Sequence, residues 1–507
     1  MPERPDEVDD WEWHLSEPVR DRPVIVAFEL LAGMTRTVSE LHRWGARRPL
    51  LVADGRGTGA IPSPDSGNVV MLPDEAFGSL TEQVRARMRP ESRLTPDIIA
   101  AIDSYDPAAG ALWWVSPVCP NTALLRREVL GGRPPAQAAL EDKMLLDALL
   151  TEVAAPSCPA LEVAAHYDDL MRATHEVLAA SGGDQAVWSG DNLCGTNGGG
   201  DYVRWVRTSE QAGDAAQFFA QRCRRVRVSA FLEGVPCSIH ALCLPDGVVV
   251  LRPVELATLR DPVRGRFVSA GMGTTWDPAG PDAEEMRGLA RALGHHLHHR
   301  YEYRGGFGID GVMTADGFRV NEINPRFSGG LTRLARIAPD AHLELVQVNA
   351  LLGRDVGKPA AEIEERARAM LDEHRFIDVM GLSTRFLLDD HLEIAVTAGD
   401  ARLEPANPFG PGVDGADALK SSADLPSVIG AVAAGPSPLG SFVRFTVNDD
   451  VVRVGDRVAP YSALLLDFAD RMWDTNFGRV LMAPDVRPAA GSPGLTPDDR
   501  LEGPVGG

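Results

Sequence analysis

The segment of the chain that most constrains its fold is GIDGVMTADGFRVNEINPR, residues 308–326. Apolar and polar residues alternate around Ala-Asp-Gly at 315–317, which is typical of an antiparallel hairpin with a three-residue turn ending in glycine. Pairing outward from this turn places Asp310 opposite Glu322. The side-chain period of two then puts Asn324 on the same face as Glu322.

This arrangement of polar side chains predicts a metal site. Two carboxylates that face each other across paired strands repel and destabilise a hairpin, whereas a divalent cation between them makes the contact favourable. Mg²⁺ (or Mn²⁺) prefers a few protein oxygens together with substrate phosphates. We therefore predict Asp310, Glu322 and Asn324 as metal ligands. A surface hairpin with scattered charges is the alternative, and it explains neither the shared face nor the Asn-Pro-Arg sequence ending at Arg326.

The composition excludes several classes of protein. The formal net charge of −22 argues against nucleic acid or an anionic membrane as a partner, because both require clustered positive charge. No apolar run reaches the roughly 18 residues of a membrane-spanning helix, and the start is acidic rather than basic and then apolar. The six cysteines form no C-x-x-C pair. We expect a cytoplasmic protein.

The pattern along the chain divides it into five ranges. Short apolar runs alternating with helical stretches predict a small parallel α/β domain at 21–140, after a flexible lead-in at 1–20. The range 141–365 carries the hairpin, and 366–482 mixes strands with a helix. The Pro/Gly-rich end, 483–507, lacks periodicity and is predicted to be disordered.

Lysine is rare in this chain. Only Lys143, Lys358 and Lys420 occur, and every other basic side chain apart from histidine is arginine. A lysine at a motif position is therefore more informative here than in an average sequence. Asp142-Lys143 opens a predicted helix that ends in the Pro-containing segment VAAPSCP.

Taken together, these motifs resemble the ATP-grasp superfamily. Asp310, followed by Glu322-x-Asn324 and Arg326, is similar to that family's metal-binding hairpin. The resemblance implies an α/β (mixed α+β) ATP-grasp fold over 141–365, with its lid at about 141–225. It also implies an N-terminal pre-ATP-grasp α/β domain and a smaller C-terminal α+β domain. Lys143 would then reach the ATP phosphates, the alternative being an exposed helical lysine.

Two further segments are similar to nucleotide-contacting parts of the family. GTNGGG, which contains Gly198 and Gly199, resembles the flexible loop that folds over the triphosphate, and an ordinary surface loop is the alternative. SAFLEG resembles the interdomain hinge. There the backbone of Ala230 and Leu232 would bind adenine and Glu233 the ribose, whereas an edge strand is the competing interpretation.

The sequence also departs from the family. QAVWS (185–189) lacks the usual second ATP lysine, and Gly308 stands where D-alanine–D-alanine ligases have an arginine. Arg326 is therefore the natural cation for the transferring phosphoryl group and the acyl phosphate.

The remaining substrate contacts follow from the same resemblance. The backbone of Ser328, Gly329 and Gly330 would hold the acyl oxygen. Arg252 and Glu255 would meet a substrate carboxylate and amine, with an ordinary surface ion pair as the alternative.

The resemblance implies an ATP-dependent carboxylate–amine ligase that works through an acyl phosphate and releases ADP. Its substrates would be small-molecule acids and amines or peptides, and a homodimer is left open. The flanking ranges resemble actinobacterial peptide ligases of the pheganomycin type, which points to antibiotic biosynthesis. An ATP-grasp carboxylase and a catalytically inactive nucleotide-binding protein are the alternatives.

Overall fold

Parallel and antiparallel sheets coexist in the chain. The computed structural model describes residues 4–193, 195–388, 390–396, 403–405, 427–437, 439–447 and 452–487. In this part of the chain one sheet is parallel and two are antiparallel, with helices between and against them. The predicted mixed α/β class is confirmed.

The N-terminal unit is a parallel sheet flanked by helices. Its elements are α1 (Asp10–Leu15), β1 (Val24–Glu29), α2 (Leu31–Arg43), β2 (Leu50–Ala53), β3 (Asn68–Met71), α3 (Leu80–Arg87), α4 (Pro96–Tyr105), β4 (Leu112–Val115), β5 (Glu128–Leu130) and α5 (Pro135–Ala139). The strand order is β3-β2-β1-β4-β5. The central strand β1 is almost entirely buried, as expected for a parallel strand that packs on both faces.

Helix α1 corrects the flexible lead-in predicted for residues 1–20. Trp11 is 8% exposed and donates its indole N–H to the Val356 carbonyl at 2.7 Å, and Leu15 is fully buried. Asp9 caps the helix by accepting a hydrogen bond from the Glu12 N–H. The acidic, aperiodic sequence misled the prediction because the partners of this short helix come from other elements: Arg43 and Trp44 bind Glu12, and Val356 binds Trp11 from 345 residues away.

The second unit is a four-stranded antiparallel sheet covered by two helices. A 3₁₀ turn (Lys143–Leu145) leads into α6 (Leu146–Glu152), β6 (Ala160–Ala164), α7 (Tyr167–Ser181), β7 (Ala186–Gly190), β8 (Val203–Val206), α8 (Ser209–Arg222) and β9 (Arg225–Ala230). The strand order is β6-β9-β7-β8. Trp188 and Phe219 fill the space between this sheet and α7 and α8.

The third unit is built on one large antiparallel sheet. Its elements are β10 (Val235–Leu244), β11 (Gly247–Val250), β12 (Val254–Asp261), β13 (Arg266–Gly273), α9 (Gly280–Tyr301), β14 (Gly305–Thr314), β15 (Gly317–Asn324), α10 (Gly329–Ile337), α11 (Leu343–Leu351), α12 (Ala360–Glu373), β16 (Ile377–Ser383), β17 (Asp390–Val396), β18 (Leu403–Pro405), β19 (Ser427–Ser437), β20 (Gly440–Val447) and α13 (Val458–Trp473). Among the described residues the order is β15-β14-β10-β12-β13-β16-β20-β19-β17-β18, with β11 paired to β10.

The two faces of β14 pack against different helices. Phe307 and Ile309 share a core with α9, whereas a Cβ on Gly306 would meet Leu331 of α10. Since side chains alternate along a strand, the even-numbered residues of β14, including Asp310, lie on the α10 side. This is the face on which the candidate site is built.

The predicted C-terminal range 366–482 shares the large sheet. β16 pairs with β13, and α12 spans the predicted boundary at residue 365. Parts of this range, and the predicted tail from 488 onward, lie outside the described residues. In the described start of the tail, Arg487 binds both carboxylate oxygens of Asp282 at 2.6 Å, so disorder is the wrong prediction for 483–487.

The turn of the β14–β15 hairpin is shorter than predicted. Gly317 has the expected positive φ, +101°, but it pairs with Thr314, so the turn has two residues rather than three. A straight ladder from this pair would set Asp310 opposite Asn321. A β-bulge instead restores the predicted pair of Asp310 with Glu322. A shift of one residue in the pairing register moves every side chain of a strand to the other face of the sheet. The bulge therefore keeps the carboxylates of Asp310 and Glu322 on one face.

No helix among the described residues has both the length and the apolar character needed to cross a membrane.

The first prediction concerns α1. Trp11→Ala removes a buried indole and should lower the free energy of unfolding by about 3 kcal/mol, measured by denaturant titration. Trp13→Ala, at a half-buried position of the same helix, is the matched control and should cost clearly less. Equal, small effects of both variants would mean that α1 does not dock on the rest of the chain.

Candidate active site

The hairpin carboxylates meet the lysine from the start of the second unit. The Lys143 Nζ lies 2.6 Å from Oε1 of Glu322, and the lysine side chain is only 12% exposed. The 3₁₀ turn that begins at Lys143 is capped by Asp142, whose carboxylate accepts a hydrogen bond from the Met144 N–H at 3.1 Å. The structure therefore brings together two predicted site residues that are far apart in sequence.

Asp310 is half-buried and lies among charged and polar side chains. Asn324 donates its side-chain N–H to Oδ2 of Asp310 at 2.8 Å, and Ser238 pairs with Asp310 across β10 and β14. Burial, with a further contribution from the charge of Glu322, raises the pKa of Asp310 to about 6. Ser238, Arg326 and Lys143 act in the opposite direction. The side chains around Asp310 and Glu322 therefore do not fully offset the negative charge of the two carboxylates when both are ionised.

Arg326 is held from two sides. Its Nη1 donates to the side-chain oxygen of Asn324 at 2.7 Å and forms an ion pair with Glu141. The other carboxylate oxygen of Glu141 accepts from Arg133 at 2.6 Å and from the hydroxyl of Thr196 at 3.3 Å. Glu141 is 4% exposed. One buried carboxylate therefore joins the N-terminal unit, the glycine-containing loop and the hairpin.

Glu141 and Arg133 were not predicted as site residues from the sequence. Glu141 precedes Asp142-Lys143 directly, but its partners Arg133, Thr196 and Arg326 come from three separate segments. The position next to a motif lysine was the available signal. Nε and Nη1 of Arg133 have no hydrogen-bond partner within the described structure, so this buried guanidinium retains donors for an anion.

The glycine loop lies against helix α3 of the N-terminal unit. Gly198 donates its N–H to the hydroxyl of Thr81 at 3.0 Å, and Asn197 accepts from Arg85 at 2.7 Å. Gly199 has φ +59°, and a Cβ there would lie 2.7 Å from Cδ2 of Leu80. The glycines thus permit a close approach to α3, and the Gly198 N–H must exchange partners before it can bind a phosphate.

The predicted hinge lies between β9 and β10. Ala230 ends β9 and pairs with Ala186, whereas Leu232 and Glu233 lie in the connection that follows. The Glu233 carboxylate forms an ion pair with Arg260, whose guanidinium lies 4.8 Å from the centre of the Phe231 ring. Glu233 has a strong partner in this structure and would need to share it with a ribose hydroxyl.

Arg252 and Glu255 are not placed as substrate ligands. Glu255 is fully buried and accepts from the Val458 and Ala459 N–H groups at 2.8 and 3.3 Å, so it caps α13. Arg457 lies 3.0 Å from the same carboxylate.

Arg252 forms ion pairs with Asp277 and Asp372. Asp277 and Asp372 belong to other segments, and Asp372 lies 120 residues from Arg252, so the sequence did not reveal these pairs. We withdraw Arg252 and Glu255 as substrate residues.

The loop that follows Arg326 forms a helix start. Ser328 caps α10 by accepting from the Leu331 N–H at 3.4 Å, and Gly329 and Gly330 are its first two residues. The N–H groups in the first turn of a helix have no intrahelical acceptor. Gly329 and Gly330 therefore present backbone donors beside Arg326.

Comparison with known proteins gives structural likeness alone. No protein-family model matches the chain, and no curated protein matches its sequence. Carboxyaminoimidazole ribonucleotide synthase from Aspergillus clavatus, solved with ATP, is 13% identical with a TM-score of 0.47 over 89% of this chain and 99% of that one. L-amino acid ligase from Bacillus licheniformis is 15% identical with a TM-score of 0.45, over 84% and 94%.

Biotin carboxylase from Campylobacter jejuni is 11% identical with a TM-score of 0.49, over 76% and 82%.

The second prediction concerns Glu141. Glu141→Gln removes the charge shared by Arg133 and Arg326 and should lower the free energy of unfolding by about 3 kcal/mol, measured by denaturant titration. Glu362→Gln is the control: this half-exposed glutamate pairs with Lys358 at the surface and its loss should cost under about 1 kcal/mol. If both variants were equally stable, the buried network would not be a structural anchor.

Proposed function

We propose that the chain is an ATP-grasp carboxylate–amine ligase that forms an amide or peptide bond and releases ADP. The observation that carries the proposal is the convergence of Lys143 and Arg326 on one face with the paired carboxylates Asp310 and Glu322. A phosphate-transfer site requires this combination of cations and oxygen ligands.

The donor set fits a divalent cation. In the described residues no group of three or more His, Cys, Asp or Glu side chains could hold a metal ion. The hairpin offers the carboxylates of Asp310 and Glu322. The amide oxygen of Asn324, which accepts from Arg326 in this structure, would have to turn toward the cation to join them. Such an incomplete oxygen shell suits Mg²⁺ or Mn²⁺, which takes its remaining ligands from water and phosphates. Burial, and after it the charge of Glu322, raise the pKa of Asp310 and so disfavour its ionised form, which a bound cation would favour. When bound, the cation supplies charge neutralisation to the triphosphate.

Lys143 and Arg326 have different tasks in the proposed reaction. Lys143 would exchange its contact with Glu322 for an ATP phosphate, and Glu322 would then be free to hold a divalent cation. Arg326 stabilises the charge that develops on the transferring phosphoryl group and on the acyl phosphate. Glu141 fixes Arg326 without neutralising it completely, because Glu141 shares its charge with Arg133.

The reaction has two steps. An oxygen of the acid's carboxylate attacks the γ-phosphorus of ATP, the bond to the β–γ bridging oxygen breaks, and ADP leaves. The substrate amine then attacks the acyl carbon, inorganic phosphate leaves, and the nitrogen loses a proton to form the amide. Arg326 and the N–H groups of Gly329 and Gly330 would meet the acyl oxygen in both steps.

The nucleotide would lie between the second and third units. The backbone of Ala230 and Leu232 binds adenine, Glu233 binds the ribose, and the loop with Gly198 and Gly199 covers the phosphates. Peptide ligation in antibiotic biosynthesis is the narrower form of the proposal, supported by the resemblance of the flanking ranges.

An ATP-grasp carboxylase is the second candidate, since the same site would activate bicarbonate as the acid. An inactive nucleotide-binding protein is disfavoured because the lysine, the arginine and both carboxylates are together on one face.

The third prediction tests the reaction. With ATP, Mg²⁺ and the twenty proteinogenic amino acids as acids and amines, the protein should form ADP and phosphate. Hydroxylamine in place of the amine should trap a hydroxamate of the acid. ADP formation that depends on bicarbonate instead would identify the carboxylase. AMP and pyrophosphate as products would contradict the ligase mechanism, because the cations would then serve the α-phosphate.

The fourth prediction tests the metal site. Glu322→Gln keeps the side-chain volume but removes one carboxylate charge. It should lower kcat by about 10²-fold or more, because the divalent cation that offsets negative charge in the transition state would lose a ligand. Glu373→Gln, at an exposed helix position, is the control and should leave kcat unchanged. ADP release by Glu322→Gln at the control's rate would exclude Glu322 as a ligand.

A further inference from the structure

One buried histidine lies on the active-site face without a role in the mechanism so far. His240 of β10 is in register with Gly308 of β14, and Gly308 is in register with Asn324 of β15. The neighbouring row of the same three strands is Ser238, Asp310 and Glu322. Residues two apart on a strand share a face, so the imidazole stands beside the proposed metal ligands.

Two glycines make room for this imidazole. A Cβ on Gly308 would lie 3.2 Å from Cδ2 of His240, and a Cβ on Gly330 would clash with its Nε2. Gly308 forms part of the floor of the site, and Gly330 is in the first turn of α10 above it. The ring therefore occupies space that side chains at these two positions would otherwise fill, and its Nε2 edge lies against the backbone proposed to bind the acyl oxygen.

The fold leaves a polar atom of the buried His240 side chain without a hydrogen bond. The residue is 3% exposed, and its Nδ1 has no hydrogen-bond partner in the part of the chain that the structure describes. Burial lowers the pKa of His240 to about 4, so the ring is neutral at neutral pH. An unpaired buried polar atom destabilises a protein, and an apolar side chain of similar size would pack here at lower cost.

We propose that His240 is a further catalytic residue. Its Nε2–H, on the ring edge that faces Gly330, donates a hydrogen bond to the acyl oxygen of the carboxylate substrate. This inference rests on the proposed ligase function. Together with the N–H groups of Gly329 and Gly330, the ring forms a set of uncharged donors next to the charged Arg326. As negative charge develops on the acyl oxygen, preorganised donors stabilise it without binding the phosphates of ATP as a further cation would.

The test compares two substitutions that differ in hydrogen bonding. His240→Leu removes the donor and the unpaired nitrogen, whereas His240→Gln keeps a polar N–H near the position of Nε2. Hydroxamate formation with ATP, Mg²⁺, hydroxylamine and the proteinogenic amino acids is measured together with the midpoint of thermal unfolding. His295→Leu, on the exposed side of α9, is the matched control.

We expect His240→Leu to lower kcat by about 10²-fold, with the KM for ATP within about twofold of the unsubstituted chain, while its unfolding midpoint rises. His240→Gln should recover at least a tenth of the activity. A purely structural histidine would give the opposite stability result, since removing it would lower the midpoint.

The outcomes separate this inference from the proposed function. If the unsubstituted chain forms ADP and hydroxamate but His240→Leu does so equally well, only the role of His240 is overturned. If His240→Leu loses both activity and stability and His240→Gln does not recover, His240 is a packing residue and the inference is again wrong. If the unsubstituted chain forms neither ADP nor hydroxamate, the ligase function fails, and the role of His240 with it.

Discussion

The buried carboxylate of Glu141 is the interaction on which the site depends. It binds Arg133 from the N-terminal unit, Thr196 from the glycine loop and Arg326 from the segment after the hairpin. A single buried anion between two guanidinium groups is stable only when its hydrogen bonds are satisfied, and here both oxygens accept. Without Glu141, two arginines would repel each other in a region of low dielectric constant, and three units would lose their common contact.

The large sheet determines which side chains meet. Three neighbouring strands, β10, β14 and β15, place a polar row of Ser238, Asp310 and Glu322 beside a second row of His240, Gly308 and Asn324. Both rows face α10, while the opposite face of the same strands packs on α9 in an apolar core. The bulge in β15 maintains this division, since without it Glu322 would point into that core.

Local pattern predicted the hairpin well because its information lies within a few residues: alternation, a turn glycine and two acids at matching distances from the turn. The same reasoning was wrong by one residue at the turn, and the bulge compensated. Pairings between distant segments were not predictable. Glu255 was taken for a substrate contact because its partners, Val458 and Ala459, lie about 200 residues away. His240 went unnoticed because the glycines that accommodate it belong to other elements.

The charges of the site explain how the same residues serve the free and the loaded protein. In this structure each cation of the proposed reaction already has an acidic partner: Lys143 pairs with Glu322, and Arg326 with Glu141. Under the proposed function a phosphate would withdraw Lys143 only if Glu322 gained another cation, so triphosphate and metal would bind together. Arg326 differs, because Glu141 would keep Arg133 as a partner if Arg326 turned toward a phosphoryl group. The lysine pair is thus an exchangeable contact, whereas the pair of Glu141 with Arg133 stays in place and fixes the site around it.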